Sequence, residues 1–260
     1  MQSVRHAGRS LRLIGVAGYN SAKGGDKVFQ ELEALRPGVV LMESFAAEGV
    51  EVVPGGAVPY HGLLPRRGVS LAQARVAEAN FRSALTAEAV AVLSAMRVGA
   101  EVRLGDRLLT ASFDRLVRRT SLGDLCGALA AAAEAAAAEL RGLTGGGPTR
   151  ISDLPQNFFC SFFPELGVER HTLMAHFARC ASERGADVAV VVGAEHIDQV
   201  AARIQSEAGL DVDELLELPP EEAVEEGSGA WEQELEKRLA LAAFLASTGS
   251  WPPETVLPPL

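Results

Sequence analysis

Short apolar runs alternate along this chain with longer stretches of helical period, the pattern of a largely parallel sheet covered by helices. Four runs read as buried strands: Leu11 to Val16, Val39 to Met42, Glu101 to Leu104 and Asp187 to Val192. They are largely apolar, several of their residues are β-branched, and they give way at or soon after their ends to glycine or a polar residue. Between the first two, Asp26 to Leu35 sets Val28, Leu32 and Leu35 on one helical face, and Pro37 stops it. A long helical pattern runs from Ser70 to Met96, closed by Val98-Gly99, and is readable as one helix or two. Thr110 and Ser121 are placed to cap helices ending at Arg119 and near Leu140, the second built on the alanine-rich run Ala128 to Ala138. Pro164 to Arg184 is a further helix, with Leu166, Leu173, Phe177 and Cys180 near one face.

The sequence thus predicts an α/β domain with a mainly parallel sheet and flanking helices over residues 11–218, preceded by an N-terminal arm over residues 1–10. Leu215, Leu216 and Leu218 suit an edge strand. Residues 219–230 are acidic and poor in apolar anchors, a solvated linker. Residues 231–260 recover a helical period from Trp231 to Ala246 and end in a Pro-rich tail. Pro54 to Gly68, rich in Gly and Pro, reads as a loop, either a lid or an unstructured insertion, and Gly145-Gly146-Gly147-Pro148 as a break.

Composition narrows the partners. The net charge of −10 argues against a phosphate-binding surface rich in Lys and Arg, so no nucleic acid is expected. No run approaches the roughly 18 apolar residues of a membrane span. The three cysteines, Cys126, Cys160 and Cys180, are odd in number and form no C-x-x-C pair, which suits a reducing compartment. A cytoplasmic location follows, with a mitochondrion-associated one as the alternative because Arg5, Arg9 and Arg12 make the N-terminus basic. Oligomeric state is not legible.

Ligands of open α/β sheets bind beyond the carboxyl ends of the strands, so the residues that end the four runs are the first candidates for chemistry. They are Gly15 to Gly18, Glu43, Asp106-Arg107 and Gly193-Ala194-Glu195-His196. A carboxylate and an imidazole converging there suit general acid/base work, and Glu43, Asp106 and His196 could begin a site for a divalent metal such as Mn, Co or Zn. Read singly, Asp106 is as simply an ion-pair or capping residue, His196 a helix N-terminal residue, and Glu169-Arg170 a solvated helical pair. Glu43, directly after Val-Val-Leu-Met, needs a partner. Gly15-x-x-Gly18 with Gly24-Gly25 lacks the spacing of a dinucleotide or phosphate loop. His171 and His176, five apart on a helix, point about 140° from each other and do not share a metal.

Five segments in this order resemble the TraB family: Leu13-Ile-Gly-Val-Ala-Gly-Tyr19, Leu35 through Glu43, Gly105-Asp-Arg with Thr110 and Arg115, Glu169-Arg170, and Val192-Gly-Ala-Glu-His196. Together they span Leu13 to about Ile204; the Tiki proteases and erythromycin esterase-type folds share the outline. The resemblance implies an α/β core with two G-x-x-H motifs at one pole, an acid after the second strand and basic residues nearby. In Tiki-like members these accompany divalent-metal-dependent peptide cleavage. It also puts Gly15, Tyr19, Arg107, Arg115, Glu169, Arg170, Gly193 and Glu195 in or near the pocket, with Glu43, Arg107 and His196 as the catalytic set. The second motif is intact as Gly193 to His196, but Gly18 stands where the first would place histidine, and no arginine occurs from Phe45 to Val50. Glycine cannot ligate, and Tyr19 or Asn20 is no comparable ligand. The expectation is therefore a degenerate metal-dependent hydrolase fold that binds a peptide or protein partner. The alternatives are an active metal hydrolase using Glu43, Asp106 and His196, and a scaffold docking through its C-terminal helix.

Overall fold

The computed structural model describes residues 1–16, 24–43, 87–107, 109–142, 163–206, 211–216 and 229–248. Gly18, Tyr19 and Asn20, the Pro54 to Gly68 loop, the first half of the Ser70 helix, the Gly145 to Pro148 break, most of the acidic linker and the Pro-rich tail lie outside them.

All four expected strands form, and they run parallel. The five-stranded sheet has the order β1-β2-β5-β3-β4, with β1 (Gln2–His6), β2 (Arg9–Val16), β3 (Val39–Met42), β4 (Glu101–Leu104) and β5 (Val188–Gly193). The last strand in sequence is central, pairing Gly15 with Val192 on one side and Met42 with Val191 on the other. Its six residues are all buried, which explains why it reads as an unbroken apolar run instead of an alternating one. The fold is α/β.

β1 is the first departure from the expected arm. It pairs antiparallel with β2 across a two-residue turn, Ala7-Gly8, both at positive φ (48° and 75°), as a tight hairpin requires. Only Val4 of the strand faces the core, a signal too thin for periodicity to register.

One sheet face is covered by α1 (Gly25–Leu35) and α2 (Ala87–Val98), whose Val28, Leu32, Ala87, Val90, Ala91 and Ala95 join Ile14, Val16, Val40, Met42, Val102 and Val191 in one cluster. The αL conformation of Arg36 ends α1 just before Pro37, as the sequence predicts. Gly99, at φ 75°, closes α2. The opposite-pointing Leu11, Leu13, Leu41, Val190 and Val192 are equally buried, so both faces lie in the interior. The helices that follow in sequence, α5 (Pro164–Glu183) and α6 (Ile197–Gln205), contribute buried Leu173, Met174, Ala178, Val200 and Ile204.

The chain divides into two compact units, where the sequence suggests one domain to residue 218. The first unit, Met1–Leu108 with Glu169–Leu215, contains the whole sheet. The second, Leu109–Val168 with Leu216–Leu260, is helical: α3 (Leu109–Arg119), α4 (Leu122–Gly142) and α8 (Gly229–Thr248). Ser121 caps α4 through its Oγ, which accepts from the Asp124 backbone N–H at 3.1 Å, as expected. Inside this unit α8, the element suggested for docking a partner, packs on α3 and α4 and buries Leu241 and Ala242. It is tied down by Arg238 to Asp114 at 2.7 Å and by Lys237 to the Val117 carbonyl at 3.0 Å.

Leu215 and Leu216 do not form an edge strand. They end a short helix, α7 (Val212–Leu216), whose start is fixed by the Asp211 carboxylate accepting from the backbone N–H groups of Asp213 and Glu214. An aspartate positioned to cap outweighs a three-leucine strand pattern. Leu218 lies outside the described residues.

Gly15 serves packing. A Cβ placed there would lie 2.1 Å from Ile197 Cδ1 and 3.1 Å from the Ala194 Cα. Gly15→Val is therefore expected to destabilise the protein by about 1–3 kcal/mol, and Ile197→Ala to recover part of that loss. Urea denaturation of the two single variants and the double variant measures the coupling; strictly additive losses would contradict the contact.

Candidate functional site

Three strand ends and one helix bring their polar residues together in the first unit. Glu43 follows β3, yet its backbone N–H still donates to Val191 of β5 at 3.0 Å, so the residue remains in sheet register. Gly105, following β4, donates its N–H to the Met42 carbonyl at 2.7 Å and so carries Asp106 alongside. A Cβ on Gly105 would sit 3.0 Å from that same carbonyl, which explains the glycine. His196 ends the single 3₁₀ turn Ala194–His196 that links β5 to α6.

From α5 come Glu169, Arg170 and His171, consecutive and all buried. That region of α5 is buried from Glu169 to Ala175 without a break, so it has no solvated face on which a charge could rest. Polar side chains there must pair with one another. Arg170 does so with two strand ends: its Nε donates to Asp106 Oδ2 at 2.6 Å and its Nη2 to Glu43 Oε1 at 3.0 Å. Arg107, fully buried, donates from Nη1 to Glu169 Oε2 at 2.8 Å and to the Leu215 carbonyl at 3.2 Å. The second oxygens are also engaged. Asp106 Oδ1 accepts from the Arg107 backbone N–H at 2.8 Å, and Glu43 Oε2 from the Gly193 backbone N–H at 2.7 Å.

The network continues through two imidazoles. His196 Nε2 lies 3.2 Å from Glu43 Oε1, within ion-pair distance but off the line of a well-formed hydrogen bond. On its other side His196 Nδ1 is 3.0 Å from His171 Nε2, with the rings tilted by 50°. Burial alone would raise the Glu43 pKa; the contact with His196, the Arg170 charge and the Gly193 N–H outweigh it and hold the carboxyl down at about 2. His171 is pushed down to about 4, first by burial and then by His196 and Arg170, so it is a neutral imidazole at neutral pH.

Most of the residues singled out from sequence are accounted for by this cluster. Glu43, Asp106, Arg107, Glu169, Arg170, Gly193 and His196 are joined in it. Glu169-Arg170 is thus no solvated pair: a helix buried all round leaves both charges inside. Glu195 is at its edge, its side chain 44% exposed and its carboxylate 4.0 Å from His196 Nε2. Gly15 contributes its carbonyl to Lys27 Nζ at 2.9 Å and belongs to the packing described above. Arg115 is buried in α3 of the second unit. Gly18 and Tyr19 lie outside the described residues. His171 is the member of the cluster that the sequence does not single out, because its partner is not His176 on the same helix but His196, 25 residues away on another element.

The expected metal site fits poorly. Each oxygen of Glu43 and Asp106 already accepts a hydrogen bond, and the Arg170 guanidinium occupies the space between the two carboxylates with a positive charge of its own. A divalent cation would have to displace it. Among the described residues no group of three His, Cys, Asp or Glu side chains is placed to hold a metal ion. Nor, among them, is any helix long and apolar enough to cross a membrane.

Comparison of the chain with protein-family models, with curated proteins and with solved structures finds no match.

Proposed function

We propose that this chain is a TraB-domain-like protein whose strand-end site operates without a metal ion and binds a peptide or protein partner at its rim. The observation that carries the reading is Arg170, which neutralises Glu43 and Asp106 together, in the manner otherwise left to a cation. Exposed Glu195, beside buried His196, gives that rim a side chain an incoming chain can reach. The order of the segments from Leu13 to Ile204, with Gly18 in place of a histidine, supports the same reading.

Purified protein is expected to bind no stoichiometric Mn, Co or Zn, and Gly18→His to confer no cleavage of a peptide library. Stoichiometric metal that disappears in His196→Ala would overturn the reading and favour the active metal hydrolase. Peptides selected from a display library should lose affinity on Glu195→Ala; binders indifferent to Glu195 and His196 alike would remove the rim as the binding site.

A further inference from the structure

Two polar groups of the strand-end cluster lack the partner that their chemistry asks for. His196 Nε2 is buried, and among the described residues it makes no hydrogen bond, the Glu43 oxygen at 3.2 Å lying off its line. Leaving a buried polar atom open is costly and uncommon, and a ligand atom that completes it removes the penalty. Glu195 is the second. Its side chain is 44% exposed, yet it does not extend away from the protein: the carboxylate folds back over Gly193, where an added Cβ would sit 3.0 Å from its Cδ and from both oxygens. Its Oε1 thereby comes to 4.0 Å from His196 Nε2, and among the described residues no lysine or arginine stands within ion-pair distance of it. The same glycine donates its N–H to Glu43 Oε2 at 2.7 Å, so Gly193 lies against both carboxylates. The charges behind it do not cancel, since Glu43, Asp106 and Glu169 meet only the guanidiniums of Arg170 and Arg107.

We propose that Glu195, His196 and Glu43 form a subsite for a primary ammonium group, carried by the N-terminus or by a lysine side chain of a bound peptide. The inference rests on the peptide-binding reading of the rim and names the group by which the peptide is held. An ammonium has three N–H donors and no acceptor. The Glu195 carboxylate, the open His196 Nε2 and Glu43 Oε1, which keeps a second lone pair beside the one given to Arg170, supply three acceptors. The imidazole serves either role, and an ammonium selects the form in which Nε2 accepts. A carboxylate or phosphate would face two carboxylates here and is repelled. A guanidinium asks for two parallel acceptors in its own plane, whereas an ammonium is a compact charge that takes partners from several directions. Entry is past Glu195, because His196 and Glu43 are each only 2% exposed. Glu195 meets the ammonium first, and as it turns from Gly193 it uncovers Nε2. Gly193 belongs to the device: its φ of −53° and ψ of 141° suit any residue, so it is the room taken by the Glu195 carboxylate that calls for glycine.

Binding of a synthetic peptide library, anchored by its C-termini, to the purified full-length chain tests the subsite. The library is made in three versions: free N-termini without lysine, acetylated N-termini with lysine, and acetylated N-termini without lysine. Binding of the first alone assigns the subsite to a terminal amine, of the second alone to a lysine side chain, and of both to either; each of these supports the ammonium. Against a version that binds, Glu195→Gln should weaken affinity at least about tenfold, the loss of a charge-assisted contact. Gly193→Ala should weaken it in the same sense with every charge kept, because its methyl crowds the Glu195 carboxylate off the backbone. Binding of the third version as tight as that of the others overturns the ammonium and leaves the peptide reading standing, whereas binding of no version overturns both. Affinity unchanged in both variants also overturns the subsite and reduces Glu195 to a charge at a helix N-terminus. The comparison of library versions on the wild type decides even if a variant does not fold.

Discussion

Replacing Arg170 by methionine is expected to lower unfolding free energy by about 3–5 kcal/mol, the range for removing one partner of a buried ion pair. Two carboxylates lose their counter-charge at once, since Nε serves Asp106 and Nη2 serves Glu43, with all three side chains at most 1% exposed. Lysine should rescue little, because one ammonium cannot reproduce two donors in a fixed plane. Glu43→Gln and Asp106→Asn, added to Arg170→Met, remove the stranded charges and should recover much of the loss, so the triple variant is expected to be more stable than the single one. Urea denaturation at neutral pH measures the series. Arg170→Met should also let a cation in: Mn or Zn is expected to raise the melting temperature of the variant and leave the wild type unmoved. A loss below about 1 kcal/mol would show that the network is solvated after all.

β3 and β5 were legible because strands buried on both faces write themselves as continuous apolar runs, and β4 because Val102 and Leu104 alternate with Glu101 and Arg103; β3 and β4 fall at the expected residues, and β2 and β5 within one or two. Their parallel direction then follows from the helices between them, and with it the convergence of Glu43, Asp106 and His196 toward one rim. What could not be read is pairwise. Nothing in the order Glu169-Arg170-His171 says that Arg170 reaches two strand ends 64 and 127 residues back, or that His171 turns to His196. The hint was there in outline: charged residues sit in α5 just ahead of Leu173, Met174 and Ala175, and a helix with no polar stripe has to hide them. β1 and α7 escaped for the opposite reason, since each is short and decided by one local device, the Ala7-Gly8 turn and the Asp211 cap. The strand ends suggest a metal from residue types alone; that a guanidinium lies between Glu43 and Asp106 is a pairwise fact of the same kind.

Acid should weaken this fold in two stages, an upper one led by His171 and a lower one by Glu43. A free imidazole titrates near 6.5 and His171 at about 4, so between those values the unfolded chain binds a proton that the native state refuses, and stability falls as pH falls. Glu43 repeats the argument lower: its ordinary value is 4.5 and its native value about 2, so the stabilisation from its ionised form is complete above 4.5 and drains away toward 2. Each stage is worth roughly 3 kcal/mol. His176, half-buried and held low by burial and then by Arg179, adds to the first stage in the same sense, so the wild-type slope alone does not isolate His171. The difference from His171→Gln does. Unfolding free energy measured by urea at steps from about pH 7.5 to pH 4.5 should fall less in the variant than in the wild type by roughly 2 kcal/mol. Glu43→Gln should flatten the loss below this window. Parallel curves for wild type and His171→Gln would mean that His171 titrates as it does in the unfolded chain, and that its burial does not hold it neutral.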